Sequence, residues 1–393
     1  MAIRVAYTGN GACAQAMRQV EPHMVAAYPI TPQTEVVEEF AKFVADGKVK
    51  TKFLPVESEH SAMSACIGGA AAGGRVMTTT ASQGLAYMWE MLYIASGLRL
   101  PIVMGVANRA LSAPINIHGD HSDAMGARDS GWVQLYCKNV QEVYDTLIQA
   151  VRIAEHGEVR LPIMVCYDGF SVSHSLMDLE MLAEEQVKGF VGRLTPRYPL
   201  LDIANPVTYG PLALYDYYFE YRRQQVEAMA NAERAVSEVA EEYASLSGRR
   251  YSAVEAYRLD NAEVALVSLG STASTIEYAV DRLRDEGVAA GALRIRTFRP
   301  FPKDAIREAL APLKAVAVMD RAESLSGWGG PVGIEVKAAF YETEARPLLL
   351  DVVYGLGGRD IGVDDVREVF GELKKATDAS KMSDSVYYLS LRE

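Results

Sequence analysis

Short apolar runs alternate, over the first 170 residues, with longer stretches in which apolar positions recur every three or four residues. The runs "IRVAY", "HMVAAYPI", "RVMTTTA", "LPIVMGVA" and "RLPIMVCYD" predict strands, and those apolar almost throughout suit a parallel sheet covered on both faces. Between them, "ACAQAMRQVEP" behind the Gly9-Asn10-Gly11 turn, "TPQTEVVEEFAKFVADGK", "LAYMWEMLYIASGLR" and Val140 to Glu155 predict helices. Thr31 stands where an N-cap belongs, with Pro32 at the first helical position. Strand and helix in alternation predict a doubly wound α/β domain ending near Phe170.

From Ser171 to Tyr257 the pattern changes to turns and prolines, then a long, charged, Tyr-rich helix from about Leu212 to Ser247. Its tyrosines, Tyr215, Tyr217, Tyr218 and Tyr221, are expected to pack against a neighbour rather than stack on a ligand. From Asp260 the alternation returns, with "AEVALVSLGS", "VAAGALRIRTF", "KAVAVMD" and "RPLLLDVVYG" as strands of a smaller α/β domain. The expected divisions are residues 1–170, a connector at 171–257, and 258–393.

The stretch Leu54 to Gly84 is the most unusual. Glu57 and Glu59 follow a short apolar run, and a run of Ala, Gly, Ser and Cys comes next. A helix so poor in bulky side chains can pack very close to a neighbour, with Gly73 and Gly74 as its stop. Glu59 has two readings: a solvated carboxylate favoured by the helix N-terminus, or a buried one with raised pKa able to exchange a proton with a bound ring. Thr31 and Arg109 share the neighbourhood, since ligands of parallel sheets gather beyond the carboxyl ends of strands. Arg109, directly after a buried strand, either pairs with Asp120 or Asp123 or grips a substrate carboxylate with its planar fork.

Charge and composition narrow the field. Lys and Arg number 39 against 51 Asp and Glu, a net −12 that excludes a nucleic-acid or anionic-lipid surface. No apolar run reaches the ~18 residues of a membrane span, and no signal core precedes the first strand, so a cytoplasmic protein is expected. Cys13, Cys66, Cys137 and Cys166 lie far apart, so neither a zinc site nor an iron–sulfur cluster is encoded. His118, Asp120, His121 and Asp123 in "HGDHSD" carry metal-ligand chemistry, yet crowd one loop; hydrogen bonds within the loop or to a partner are the expected use. The Gly9-Asn10-Gly11 turn lacks the acidic residue that would complete a dinucleotide fingerprint. "GWGGPVG", Gly327 to Gly333, is either an anion-holding turn or a tight strand-to-helix connection.

Several motifs, in order, carry a resemblance: "AYPITPQTE", "ESEHSAMSACIGGAAAGG", "TTASQGL", "ANRALSAPINIHGDHSD", "RIRTFRPFP" and "YGLGGRD". Through nearly its whole length the chain resembles the alpha chains of pyruvate:ferredoxin oxidoreductases, within the thiamine-diphosphate-dependent 2-oxoacid:ferredoxin oxidoreductases. The resemblance implies a pyrimidine-binding domain of the thiamine diphosphate-binding fold, followed by a transketolase C-terminal-like domain. It places Glu59 against the cofactor's aminopyrimidine, Pro29, Ile30, Ser82 and Gln83 around the cofactor, and Thr31 and Arg109 at the 2-oxoacid carboxylate. No Gly-Asp-Gly diphosphate motif or cluster cysteines are present, so magnesium and iron–sulfur clusters are expected on partners only. Those partners are a beta subunit with the diphosphate site, and gamma and iron–sulfur (delta) chains on which ferredoxin docks. The implied reaction takes pyruvate and coenzyme A to acetyl-CoA, carbon dioxide and reduced ferredoxin in anaerobic metabolism; a branched-chain 2-oxoacid is the alternative. A nicotinamide-dependent dehydrogenase and a non-catalytic scaffold subunit are the readings from other classes.

Overall fold

The computed structural model describes residues 3–344, 346–382 and 385–392; the extreme ends of the expected divisions, residues 1 and 393, lie outside them. β1 (Ile3–Tyr7) leads into α1 (Gly9–Val20), β2 (Met24–Ala27), α2 (Thr34–Ala45), β3 (Lys52–Pro55) and α3 (Glu59–Ala71). Next come β4 (Val76–Thr80), α4 (Ser82–Tyr87), α5 (Trp89–Gly97), β5 (Ile102–Asn108), α6 (Ser122–Gly126) and β6 (Val133–Cys137). α7 (Val140–Glu155), β7 (Ile163–Asp168), β8 (Met177–Met181), α8 (Glu184–Val191) and α9 (Tyr218–Ser247) follow. The last part holds β9 (Val254–Tyr257), β10 (Val264–Ser268), α10 (Thr272–Asp285), β11 (Ala290–Ile295), β12 (Thr297–Arg299) and α11 (Lys303–Leu310). It closes with β13 (Ala315–Asp320), α12 (Pro331–Phe340), β14 (Leu348–Val353), α13 (Val363–Ala379) and β15 (Val386–Tyr388).

Seven strands form the first sheet in the order β12-β6-β7-β5-β4-β2-β3, parallel except where β12 meets β6. Every residue of β4, β5, β6 and β7 is buried, the signature of a sheet covered on both faces. The first strand of the sequence does not join it: β1 pairs antiparallel with β8 as a separate ribbon. α3 is as slim as its composition predicts. A Cβ at Gly69 would come within 2.6 Å of the tip of the Met24 side chain and 3.0 Å of Val76, so glycine lets the helix sit this close to β2 and β4 without those side chains giving way.

The second sheet runs β15-β14-β13-β10-β11-β9, parallel except for the antiparallel β9–β11 edge. β9 lies before residue 258 and β12 after it, yet each joins the sheet on the other side of that expected division. The run "VAAGALRIRTF" is thus two strands: β11 belongs to the second sheet and β12 to the first. Arg294 of β11, fully buried, donates in bidentate fashion to Glu142 of α7 at 2.8 and 2.9 Å and pairs with Glu255 at 2.6 Å.

The long helix starts at Tyr218, not near Leu212, and its buried face, Ala228 through Tyr243, begins ten residues later. Tyr215 (97% exposed), Tyr217, Tyr218 and Tyr221 lie on or before its first turns and remain exposed; the Arg222 guanidinium lies over the Tyr218 ring at 5.3 Å and donates to its Oη at 2.9 Å. α9 is instead anchored at its far end. Asp145 of α7 accepts from Tyr243 and Tyr251 at 2.5 Å each and from Arg249 at 2.6 and 2.9 Å.

The Gly327–Gly333 turn is a connection whose amides the chain itself consumes. Val332 and Gly333, opening α12, donate to Asp320 at 3.0 and 2.7 Å, and Gly330 donates to Asp351 at 2.8 Å. Asp320 and Asp351 are buried side by side, and one Asp351 oxygen has no donor, so the pair shares a proton. Burial pushes Asp351 up to about 6 and, with the Asp351 charge, holds Asp320 well above the carboxylate range. A carboxyl whose folded pKa is raised stabilises the fold most below its unfolded value, about 4, and that contribution is lost as pH rises to about 6. Asp351→Asn, which supplies a permanent donor, is expected to flatten the decline of the unfolding midpoint between about pH 4 and pH 6. A pH profile parallel to that of the unaltered chain would contradict the shared proton.

Candidate active site

Parallel strands β7, β5, β4, β2 and β3 end on one edge of the first sheet, and four residues of interest leave from those ends. Thr31 follows β2, Glu59 follows β3, Ser82 follows β4 and Arg109 follows β5. Ser58 caps α3, its Oγ accepting from Ser61 N at 3.2 Å, which makes Glu59 the first helical residue. The Glu59 side chain is buried, 7% exposed, against the α4 turn; a Cβ at Gly84 would lie 2.7 Å from its Oε1. Among the described residues no side chain or ion pair satisfies this carboxyl. Burial raises its pKa against the opposing pull of the helix-start amide. The solvated reading of Glu59 therefore fails, and it describes Glu57 instead: that carboxylate is exposed, accepts from Ser61, and is held below its usual range by that bond.

Arg109 is buried and pairs with neither Asp120 nor Asp123 through its side chain. Its Nε donates to Asn116 O at 2.8 Å and its Nη1 to Thr31 O at 2.9 Å, and Nη2 has no protein partner among the described residues. Burial alone, with no adjacent carboxylate bonded to the fork, pulls its pKa down. Thr31 is not an N-cap. The backbone bonds from Gln33 N to Ile30 O (2.8 Å) and from Val36 N to Gln33 O (2.9 Å) close a turn first, so the helix begins at Thr34. This leaves the Thr31 side chain exposed on the edge and its carbonyl on Arg109. Beside it Pro29 is exposed and Ile30 half-buried.

Ser82 is fully buried in a left-handed conformation (φ 47°), its Oγ donating to Ala110 O at 2.5 Å and lying 2.6 Å from Gln83 Oε1. Its hydroxyl is consumed within the turn, and the half-buried Gln83 is tied to it. Two further residues hold this edge together. Gln33, fully buried, donates from Nε2 to Thr79 O at 3.0 Å. Asp123 accepts four hydrogen bonds: Asn108 Nδ2 (2.8 Å) and Ala124 N (2.7 Å) on one oxygen, Ser82 N (2.9 Å) and Arg109 N (3.0 Å) on the other. Burial pushes it up to about 6 even so. The sequence marked Asp123 as a candidate Arg109 partner and as one of the loop-fixing polar residues; it meets Arg109 through the backbone amide, not the guanidinium.

The "HGDHSD" residues do not converge. His121 Nε2 lies 2.6 Å from Asp168, Asp120 accepts from Ser122 N and Gly357 N at 3.0 Å, and the His118 ring lies 5.1 Å from that of Phe170. No group of three metal-capable side chains exists among the described residues. The loop instead joins the two sheets: Asn116 Nδ2 donates to Gly357 O at 2.9 Å and His121 N to Arg321 O at 2.8 Å. Asp168, at the end of β7, accepts from Ser271 N at 2.7 Å and lies 3.5 Å from Arg321. Its burial opposes ionisation, but His121 and Arg321 hold it well below the usual carboxylate range. The expected use of these groups as loop-fixing hydrogen bonds is what the structure shows.

The Asp123 node yields a test. Asp123→Asn turns the NH2 of a carboxamide toward backbone donors and leaves at least one of them unpaired, at a cost of about 1–3 kcal/mol. Chemical denaturation of the substituted chain should show that loss, and an unchanged midpoint would contradict the anchoring role.

The family model for the thiamine diphosphate-binding domain of pyruvate flavodoxin/ferredoxin oxidoreductases matches residues 15–241, and that for pyruvate:ferredoxin oxidoreductase core domain II matches residues 262–366. Pyruvate synthase subunit PorA of Thermotoga maritima is 57% identical over 390 residues, covering 99% of this chain and 98% of the relative. The subunit of the same name from Methanocaldococcus jannaschii is 47% identical over 388 residues (98% and 97%). Ketoisovalerate oxidoreductase subunit VorA of Pyrococcus horikoshii is 40% identical over 391 residues (99% and 98%). Among solved structures, 2-oxoglutarate:ferredoxin oxidoreductase from Magnetococcus marinus superimposes with a TM-score of 0.73 at 20% identity, covering 94% of this chain and 65% of that one. A split-gene transketolase does so with a TM-score of 0.54 at 13% identity, covering 94% and 98%. Two family models in sequence and full-length relatives of this similarity place the chain in the pyruvate flavodoxin/ferredoxin oxidoreductase family, with a thiamine diphosphate-binding domain followed by a pyruvate:ferredoxin oxidoreductase core domain II.

Proposed function

We propose that this chain is the alpha subunit of an enzyme that oxidatively decarboxylates pyruvate with coenzyme A, giving acetyl-CoA, carbon dioxide and reduced ferredoxin. One observation carries the reading: Glu59 is buried at the carboxyl edge of the sheet without a partner from its own chain. Thiamine diphosphate fits there by its pyrimidine half, because the carboxyl is free to bond a ring nitrogen and Gly84 adds no side chain beside it. When bound, the cofactor supplies the electron sink that takes up the charge left as a 2-oxoacid loses carbon dioxide. Glu59 holds and returns the proton at the ring nitrogen, a task suited to a raised pKa. Arg109, fixed by Asn116 O and Thr31 O, directs its free Nη2 to the substrate carboxylate, and the exposed Thr31 hydroxyl reaches the same end. Pro29, Ile30 and the Ser82–Gln83 turn form the surrounding wall.

The diphosphate, its magnesium ion and the iron–sulfur clusters fall to partners: a beta subunit, and gamma and delta chains. Support comes from the cysteines here, all buried and free, with burial pushing Cys13, Cys66 and Cys137 up to about 12. Ferredoxin docks on a cluster-bearing partner, since ferredoxins are usually acidic and the net charge of −12 here disfavours the encounter. The place of action is the cytoplasm; no helix among the described residues is long and apolar enough to cross a membrane. The nicotinamide reading loses its footing at α1. Gly9 N and Asn10 N, the amides that would face a diphosphate, donate to Val172 O and Ser173 O at 3.0 Å each. The branched-chain alternative keeps one support, the ketoisovalerate relative at 40% identity.

Glu59→Gln in the assembled complex is expected to remove most turnover, by roughly 10²-fold or more, while the complex stays intact; near-normal turnover would refute the relay. Arg109→Lys is expected to raise KM for the 2-oxoacid by about tenfold, because a point charge replaces an aimed fork. A panel of pyruvate against branched-chain 2-oxoacids, scored by kcat/KM, decides the substrate. A well-formed complex free of thiamine diphosphate would favour the scaffold reading.

A further inference from the structure

Arg99 and Arg160 precede β5 and β7, on the edge of the sheet opposite Glu59 and Arg109. They line a cavity of about 790 Å³ roofed by the segment 197–213 and the first turns of α9. Its size falls within the ~300–1,000 Å³ of sites that take small organic ligands. Four arginines and no carboxylate line it, in a chain whose net charge is −12. Arg99 serves the walls: it donates to Val159 O at 2.6 Å and to Arg160 O and Gln224 O at 3.3 Å. The guanidinium groups of Arg160 and Arg197 have no hydrogen-bond or ion-pair partner among the described residues. Arg197 lies over the Tyr198 ring at 5.2 Å, and the carboxylate near Arg160, Glu155, is committed to Arg75 at 2.6 and 2.8 Å. Burial and the neighbouring arginines lower the pKa of both Arg99 and Arg160. Both also adopt left-handed backbone conformations, φ 58° and 41°, which non-glycine residues rarely hold.

The half-buried guanidinium of Arg160, without a partner among the described residues, calls for an anion; Arg197 stands exposed at the rim where it can reach the same anion, and the remaining walls are largely aromatic. Tyr93, Tyr198, Tyr209, Tyr218 and Tyr221 supply ring faces. The roof is fastened in place by Tyr209 Oη donating to Tyr198 O at 2.9 Å and Leu200 N donating to Ala71 O at 2.9 Å. We propose that this cavity is a second binding site, for a nucleoside phosphate, with the phosphates on Arg160 and Arg197 and the base among the tyrosines. A ligand there does not take part in the chemistry of Glu59, because β5, seven residues or about 20 Å long, separates the two edges.

The test uses the assembled complex and ADP, with equilibrium dialysis as the readout. Saturable ADP binding is expected that persists when coenzyme A is saturating. Arg160→Gln with Arg197→Gln should weaken it at least roughly tenfold, and Arg160→Lys should retain part of it. Adenosine and inorganic phosphate, each alone, should bind at least roughly tenfold more weakly than ADP. Thermal midpoints near that of the unaltered complex show that the variants fold. The proposal is overturned if ADP does not bind, if coenzyme A displaces all of it, or if the substitutions leave it unchanged. It is equally overturned if phosphate alone binds as tightly as ADP, which would mark a bare anion site.

Discussion

A carboxylate withdrawn from water must either collect hydrogen-bond donors or keep a proton, and this chain uses both answers within one sheet edge. Asp123 collects four donors, two of them the backbone amides of Ser82 and Arg109, so the strand ends bearing those residues have a fixed separation. Asp168 collects His121, Ser271 and Arg321 and thereby fastens the second domain to the first. Glu59, at the same sheet edge, collects no side-chain donor among the described residues, and burial raises its pKa, which is the second answer. Two satisfied acids make a rigid frame, and the unsatisfied one inside it is what chemistry can use.

The two domains are interlaced more deeply than a chain of modules would be. β12 leaves the second sheet to pair with β6 of the first, and the Arg294–Glu142 pair lies beneath that crossing. The loop from Asn116 to Asp123 spans the remaining gap, touching Gly357 on one side and Asp168 on the other. Because the fork of Arg109 leans on Asn116, which in turn bonds Gly357, the position of the second domain bears on that of the Arg109 guanidinium.

Much of this was legible in the residues. Apolar runs gave β4, β5 and β7 correctly, and the small-residue run after Glu59 announced a helix that glycine seats so closely. The Thr31 cap was misread because the side-chain cap and the backbone turn compete for the same amides, and the turn wins. β6, "VQLYC", went unnoticed behind a long polar loop, and "VAAGALRIRTF" hid two strands in one run, since periodicity carries no information about which sheet a strand joins. The hold of Asp123 on two strand ends was invisible for a similar reason: its four donors are mostly main-chain amides, which every residue possesses.

The segment leading into α9 also bears on how the molecule is made. Ile203 (94% exposed), Leu212 and Phe219 face outward there together with Tyr215 and Tyr217. A ribosome that releases this polypeptide ahead of its companions releases it with a greasy flank, a surface that chaperones recognise and that sticks to itself at high concentration. Balanced synthesis of all chains of the complex, and early capture of this one, thus become conditions of its solubility and of its yield.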